Sequence, residues 1–262
     1  FGDNVLPKHP NLRMIKADIR DLKILKDHLK GQEVFIHLAC ISNDPSFELN
    51  PKLGKSINFD SFRPIVETAI SYGVKSFIYA SSSSVYGIKK EKNVTENVSL
   101  EPITDYSYFK AECEKILMEY DLKNFNTTVL RPATVCGFSP RQRLDVVVNI
   151  FANLAFHNRK IPIFGGNQLR PNIHINDMVN AYLKVIESPN KLINKKIFNV
   201  GEKNYSLLEI ANKVKKIIGD DVKLEVNQND DKRSYHISSN KICKELGFKT
   251  IYNIENAIYD LK

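Results

Sequence analysis

The 262 residues, 42% of them hydrophobic, suffice for a substantial core, either as one large domain or as two unequal lobes. The longest nearly apolar stretch, Val34 to Ile41, is interrupted by His37 and falls far short of the roughly 20 residues needed to cross a bilayer, so no helical membrane span is expected. The formal charge of +8 suits an anionic partner, but the lysines are spread along the chain without an arginine-rich arm; this disfavours nucleic acid and leaves small polyanions, which a basic surface steers at long range.

Phe1-Gly2-Asp3-Asn4 carries no basic and apolar leader pattern, and the true start of the protein is expected to lie upstream. Short β-branched runs then alternate with longer amphipathic stretches. Arg13 to Ile15, Val34 to Ala39, Ser76 to Ser81 and Thr127 to Leu130 are predicted strands. About Asp21 to Lys30, Ser61 to Tyr72 and Tyr106 to Tyr120 are predicted helices, with apolar residues three and four apart. The alternation argues for a parallel sheet covered by helices on both faces. Beyond Phe138 the pattern loosens into a Pro/Arg-rich stretch and a Gly165-Gly166 turn, predicting a smaller second lobe. Ile161 to Phe164, Ile173 to Ile175 and Lys196 to Val200 are further candidate strands, some returning to the main sheet. The predicted division is therefore interleaved: 1–137 with 172–201 as a dinucleotide-binding domain, and 138–171 with 202–262 as a substrate-binding lobe.

The four cysteines, Cys40, Cys113, Cys136 and Cys243, have neither paired nor metal-finger spacing. Neither a disulfide framework nor a zinc site is expected, and reduced thiols in a cytoplasm fit best. His37, His174 and His236 read as packed or hydrogen-bonded side chains, since no further ligand stands at metal spacing.

A Tyr and a Lys four apart on a helix share one face, so an ammonium can sit beside a phenol and favour its ionised form. Tyr106 and Lys110 have that spacing at the start of a long amphipathic stretch. Tyr86 and Lys90 have it too, but beside Gly87 in an expected loop, where alignment would be lost. The serines Ser81-Ser82-Ser83-Ser84 follow the apolar strand Phe77-Ile78-Tyr79, so their hydroxyls should emerge at the carboxyl rim of the sheet, where open α/β folds bind ligands. Standing alone, such a run reads equally well as a turn that caps the next segment.

Ser-Ser-Ser-Ser-Val-Tyr-Gly at 81–87 followed by Tyr106-x-x-x-Lys110 resembles the signature of the extended short-chain dehydrogenase/reductases, the sugar-nucleotide epimerase/dehydratase group. Further matches run in family order: Ala17-Asp18-Ile19-Arg20-Asp21, His37-Leu38-Ala39-Cys40, Asn58, Leu130-Arg131-Pro132, Arg170-Pro171-Asn172-Ile173-His174, Phe198-Asn199-Val200-Gly201 and Glu245-Leu246-Gly247-Phe248. The resemblance implies a Rossmann-like, doubly wound α/β fold. It makes Tyr106 the acid/base at a sugar hydroxyl, Lys110 its activator and a nicotinamide-ribose ligand, and Ser82 the orienting donor, four residues before the Tyr of Val-Tyr-Gly. It places Asp18 and Ile19 along the adenine, Leu38, Ala39 and Cys40 under the dinucleotide, and Asn58 at the same site. The implied cofactor is NAD, with NADP left open.

No G-x-x-G-x-x-G precedes Asp18, so the resemblance implies that the first βαβ unit, very roughly 30 residues or more, is missing from this chain. Such a fragment is expected to bind cofactor poorly by itself. For the substrate, a nucleotide diphosphate sugar, the resemblance implicates Arg170 and Arg233 on the diphosphate, Thr134 where Asn commonly touches the sugar, and Arg141 within Ser139-Pro140-Arg141-Gln142-Arg143. Ser238 stands where Asp is common. Ser83 and Ser84 stand where dehydratases carry an Asp-Glu pair, which disfavours 4,6-dehydration and leaves epimerisation or net oxidation or reduction at C4. A homodimer built on the helices near Ser61–Tyr72 and Tyr106–Tyr120, and a role in polysaccharide synthesis, are the family's habits. The competing reading is a non-catalytic dinucleotide-binding relative of the same fold.

Overall fold

The computed structural model describes residues 6–228 and 234–262. Asp21 caps α1 (Leu22–Leu29) by accepting from the amides of Lys23 and Ile24, and the chain then enters β1 (Val34–His37). Two short helices, α2 (Asp44–Glu48) and α3 (Pro51–Lys55), are capped in the same way by Asn43 and Asn50, each with a proline in the first turn. A widened π-type turn at Ser56–Asp60 leads into α4 (Phe62–Ser71), β2 (Ser76–Ala80) and a single 3-10 turn at Ser83–Tyr86. Next come α5 (Asp105–Glu119), whose start is a capping box between Thr104 and Ser107, and β3 (Asn126–Pro132).

The second half adds β4 (Thr134–Cys136), α6 (Val147–Asn158), β5 (Lys160–Phe164), β6 (Leu169–His174), α7 (Ile175–Glu187), α8 (Asn190–Ile193) and β7 (Lys196–Val200). It ends with β8 (Lys203–Ser206), α9 (Leu207–Ile218), β9 (Lys223–Asn227), α10 (Asn240–Leu246) and α11 (Ile254–Leu261).

The main sheet is wholly parallel in the order β1-β2-β3-β7, with Phe35 opposite Phe77, Phe77 opposite Thr127 and Thr128 opposite Lys196. Side-chain alternation sends Phe77, Tyr79 and Val129 to one face, where Phe62, Ile65 and Leu117 of α4 and α5 bury them. Ile78, Leu130 and Phe198 face the other way and pack against Ala181 and Val185 of α7 and Ile242 of α10. Each large side chain that is fully buried here contributes about 1.5–3 kcal/mol relative to exposure. Helices on both faces of a parallel sheet make this the Rossmann-like α/β fold that the alternating pattern predicts.

A separate apolar cluster gathers α6, α9 and α11 over Ile161 and Ile163 of β5, which pairs with β9. β4, β6 and β8 form a third small sheet. Of the late candidate strands, only Lys196–Val200 joins the main sheet; β5 and β6 pair elsewhere. The predicted strand at Arg13–Ile15 is not formed: these residues have no ladder partner among the described residues, and Met14 and Ile15 are exposed. Without a neighbour for its amides and carbonyls, an apolar run stays irregular. Among the described residues, no helix is long and apolar enough to cross a membrane.

Candidate active site

β2 ends at Ala80, and the chain turns at once through Ser81 to Ser84 on the carboxyl rim of the sheet. Ser82, in extended conformation, caps the 3-10 turn: its Oγ accepts from the Ser84 amide at 3.1 Å and lies 2.8 Å from the Ser84 Oγ. Helix α5 runs alongside and presents Tyr106 and Lys110 one turn apart. The Ser82 hydroxyl lies close enough to the Tyr106 phenol to favour its ionised form, and the two residues line one cavity of about 380 Å³. Burial pushes the Tyr106 pKa well above the ordinary tyrosine value, nearby Cys40 pushes it further, and the Ser82 hydroxyl opposes both. The phenol therefore rests protonated, as a proton donor, and needs a nearby positive charge to serve as a base.

Lys110 is 3% exposed, and its Nζ donates to the Ala80 carbonyl at 2.6 Å. The ammonium lies 5.9 Å from the Tyr106 ring centroid and 4.9 Å from that of Tyr79. It thus lies near the rings, anchored to the end of β2. The alternative pair is excluded by Tyr86 itself, whose hydroxyl is buried, donating to Asn199 and accepting from Arg131, both at 2.7 Å.

On the dinucleotide side, Leu38, Ala39 and Cys40 continue from the carboxyl end of β1. Leu38 is 56% exposed, and Cys40 lies near enough to Tyr106 to influence its proton. Asn58, in the widened turn, holds this strap through Ile41: its Oδ1 accepts from the Ile41 amide at 2.8 Å and its Nδ2 donates to the Ile41 carbonyl at 3.0 Å. Asp18 binds Arg20 through both carboxylate oxygens, and Arg20 reaches Ser56 in that turn, while Ile19 packs on the core beneath. The arginine beside it holds the exposed Asp18 carboxyl at about 2, so it is charged. An exposed apolar strap at the carboxyl ends of parallel strands, flanked by an ionised carboxylate, fits a flat dinucleotide.

On the substrate side, Thr134 and Arg170 line the cavity that holds Ser82 and Tyr106. That cavity shares Asn43, Thr134, Arg143 and Arg170 with a second one of about 780 Å³, which extends past Phe164 and Leu207. The Arg170 guanidinium lies 5.5 Å over the ring of Tyr235. Arg141 lines a neighbouring hollow together with Ser42, Asn43, Arg143 and Asp145, and it is not among the residues around Tyr106. Arg143 lines both that hollow and the cavity with Tyr106; it is held by Asp145 at 2.6 Å, and Asp145 in turn accepts from Asn43, also at 2.6 Å. Arg143 keeps the Asp145 carboxyl at about 2 against partial burial. Two arginines a residue apart in an irregular loop give no periodic cue to which one points inward. Arg233 lies outside the described residues.

The histidines make local contacts. His37 is enclosed by Phe62, Phe77 and Tyr79, His174 pairs with Asp260 at 3.0 Å, and His236 bonds the Glu91 carbonyl. No group of three or more His, Cys, Asp or Glu able to hold a metal occurs among the described residues. Sequence reasoning passed over a buried network beneath the serine turn, in which Arg131 grips Glu114 of α5. The available signal was Glu114 itself, a carboxylate four residues past Lys110 on the inward face of the helix.

Comparison with known proteins shows the family. The chain is 25% identical over 95% of its length to a UDP-glucose 4-epimerase of Lactobacillus helveticus, spanning 82% of that protein. It superposes on the crystal structure of the Thermotoga maritima UDP-glucose 4-epimerase with UDP-glucose at a TM-score of 0.87, with 24% identity, covering 97% of this chain and 84% of that one. The structure of MoeE5 in complex with UDP-glucuronic acid and NAD matches at a TM-score of 0.85, with 24% identity over 97% of this chain and 86% of the other. The family model for the NAD-dependent epimerase/dehydratases matches residues 3–201, and the chain belongs to that family.

Proposed function

We propose that this protein acts on a nucleotide diphosphate sugar with NAD, either inverting a sugar carbon by transient oxidation and re-reduction or carrying out a net oxidation or reduction at C4. The observation that carries the reading is the meeting of the Ser82–Tyr106 pair with Arg143 and Arg170 on one cavity. A proton-exchanging phenol thereby shares one cavity with cations suited to a diphosphate.

NAD, when bound, supplies the acceptor that takes a hydride and can return it; Leu38, Ala39, Cys40, Asp18 and Ile19 would hold it, with Asn58 fixing the strap. Tyr106 exchanges a proton with the sugar hydroxyl at the reacting carbon, and Ser82 steers that hydroxyl through its own hydrogen bond. Lys110 keeps a positive charge near the phenol ring and lowers the cost of forming phenolate. Thr134 contacts the sugar, and Arg170 takes phosphate oxygens with Arg143; Arg141 and Arg233 are retained as further candidates. Ser83 and Ser84 offer hydroxyls where water elimination would need a carboxylic acid and a carboxylate, which favours epimerisation or C4 oxidoreduction over dehydration.

The division into a dinucleotide-binding domain (1–137 with 172–201) and a substrate lobe (138–171 with 202–262) goes with this reading. So does a cytoplasmic homodimer through α4 and α5, whose outer faces carry the Arg63–Glu119 pair and exposed Tyr108. A monomeric mass by light scattering would contradict the dimer.

The test is to purify the full-length protein, denature it and identify released small molecules by mass spectrometry. NAD(H) with a UDP-, GDP- or dTDP-sugar is expected. Neither molecule, with no binding on adding them back, would favour a non-catalytic relative.

A further inference from the structure

Tyr106, Lys110 and Glu114 stand four apart on α5 and so form one inward face of the helix. Glu114 and Arg131 are each 3% exposed, and their pairing is two-pronged: Arg131 Nε lies 3.0 Å and 3.2 Å from the two carboxylate oxygens, and Nη2 lies 2.6 Å from one of them. The same carboxylate accepts from the hydroxyl of Ser81, the residue before Ser82. The same guanidinium donates through Nη1 to the hydroxyl of Tyr86, which closes the 3-10 turn. Ser81 is also tied by its amide to the Leu130 carbonyl at 2.8 Å, next to Arg131 in β3. Both ends of the serine turn are therefore fastened to one ion pair, and Ser82 is suspended between them.

A buried ion pair is a poor way to gain stability, since desolvating two charges offsets most of their attraction and an apolar pair of similar shape often does as well. What such a pair supplies is directionality, because a forked guanidinium and a two-oxygen carboxylate fix several partners in one plane.

The geometry points to Glu114 and Arg131 as positioning residues that hold the Ser81–Tyr86 turn against α5 and thereby set the Ser82 hydroxyl on the Tyr106 phenol. This rests on the proposed reaction for its catalytic consequence, while the placement itself is independent of the substrate.

Two variants separate placement from folding. Ser81→Ala removes one hydroxyl and leaves the ion pair whole; Glu114→Leu with Arg131→Met removes both charges together, so that neither is stranded. In the full chain, with tyrosine isotopically labelled at Cζ, the Tyr106 resonance is identified by its loss in Tyr106→Phe. That resonance is expected to shift or broaden in both variants. Turnover of whichever UDP-, dTDP- or GDP-hexose the wild type accepts is expected to fall about 10- to 100-fold with KM unchanged. An unmoved Tyr106 resonance in both variants overturns the proposal whether or not the wild type turns over any sugar. A lower melting temperature with kcat unaltered would reduce the pair to a structural role and overturn it as well. A wild type inert toward all these sugars would count against the reaction, and the resonance would still decide the placement.

Discussion

Asn58 gives both halves of its side-chain amide to Ile41, accepting from its N–H and donating to its C=O, and so clamps the strap after β1 across the sequence from a different helical turn. The residue is 5% exposed, so the clamp works out of water, where each unpaired group would cost about 1–3 kcal/mol. Asn58→Asp keeps an acceptor but places a carboxylate oxygen against the Ile41 carbonyl. Binding of NAD, measured by calorimetry, is expected to weaken about 10-fold or more, because Leu38 to Cys40 lose their fixed path. Unchanged affinity would remove Asn58 from the cofactor site.

Lys110 makes its hydrogen bond to the Ala80 carbonyl and keeps its charge near the Tyr106 ring. Lys110→Met retains the stem and removes the charge, so turnover should drop about 100-fold or more at neutral pH. Steady-state assay on the sugar identified from the purified protein checks this; a variant within twofold of the wild type would leave Lys110 as packing alone.

His37 is 3% exposed, its Nδ1 has no hydrogen-bond partner, and burial followed by the Lys110 charge pushes its pKa from 6.5 to about 3. The folded chain refuses a proton that the unfolded chain accepts. The stability held by the neutral ring is therefore complete above about pH 6.5 and is lost as pH falls toward 3, by an amount on the order of several kcal/mol. His37→Phe, which suits the surrounding aromatic rings, should flatten this part of the acid profile in urea unfolding. Parallel profiles for variant and wild type would refute the assignment.

Gly87 has φ of 67°, and a Cβ there would lie 2.0 Å from the Glu101 carbonyl oxygen. Both the left-handed backbone and the contact with main chain oppose any side chain. Gly87→Ala should cost about 2–4 kcal/mol in a thermal or chemical melt. A melt matching the wild type would show that the turn rearranges freely.

The parallel sheet was legible because β2, β3 and β7 are short β-branched runs that can only be buried on both faces, and because helices such as α4 and α5 carry their own spacing. Arg13–Ile15 has the same local composition but lacks a partner, and pairing is a tertiary property that composition does not carry. β6 was placed short because Pro171 and the polar residues Arg170 and Asn172 hide a strand that begins at Leu169. In the candidate site, the proximity of Ser82, Tyr106 and Lys110 follows from spacing and resemblance. The presence of Arg143 on the same cavity was not legible, since its placement follows from Asp145 and Asn43, the second of which is distant in sequence. The grip of Arg131 on Glu114 joins a strand to a helix and leaves no mark beyond two charges in apolar surroundings.

The proposed role of Tyr106 is to exchange the proton of a reacting sugar hydroxyl. Rapid mixing of the NAD-loaded protein with its nucleotide sugar, followed by NADH absorbance and product analysis, tests it most directly when wild type and Tyr106→Phe are compared. The wild type should form product, with transient NADH for an epimerase or net NADH change for an oxidoreductase, while the variant retains its melting curve and loses nearly all turnover. A Tyr106→Phe protein that turns over at the wild-type rate would rule out that role.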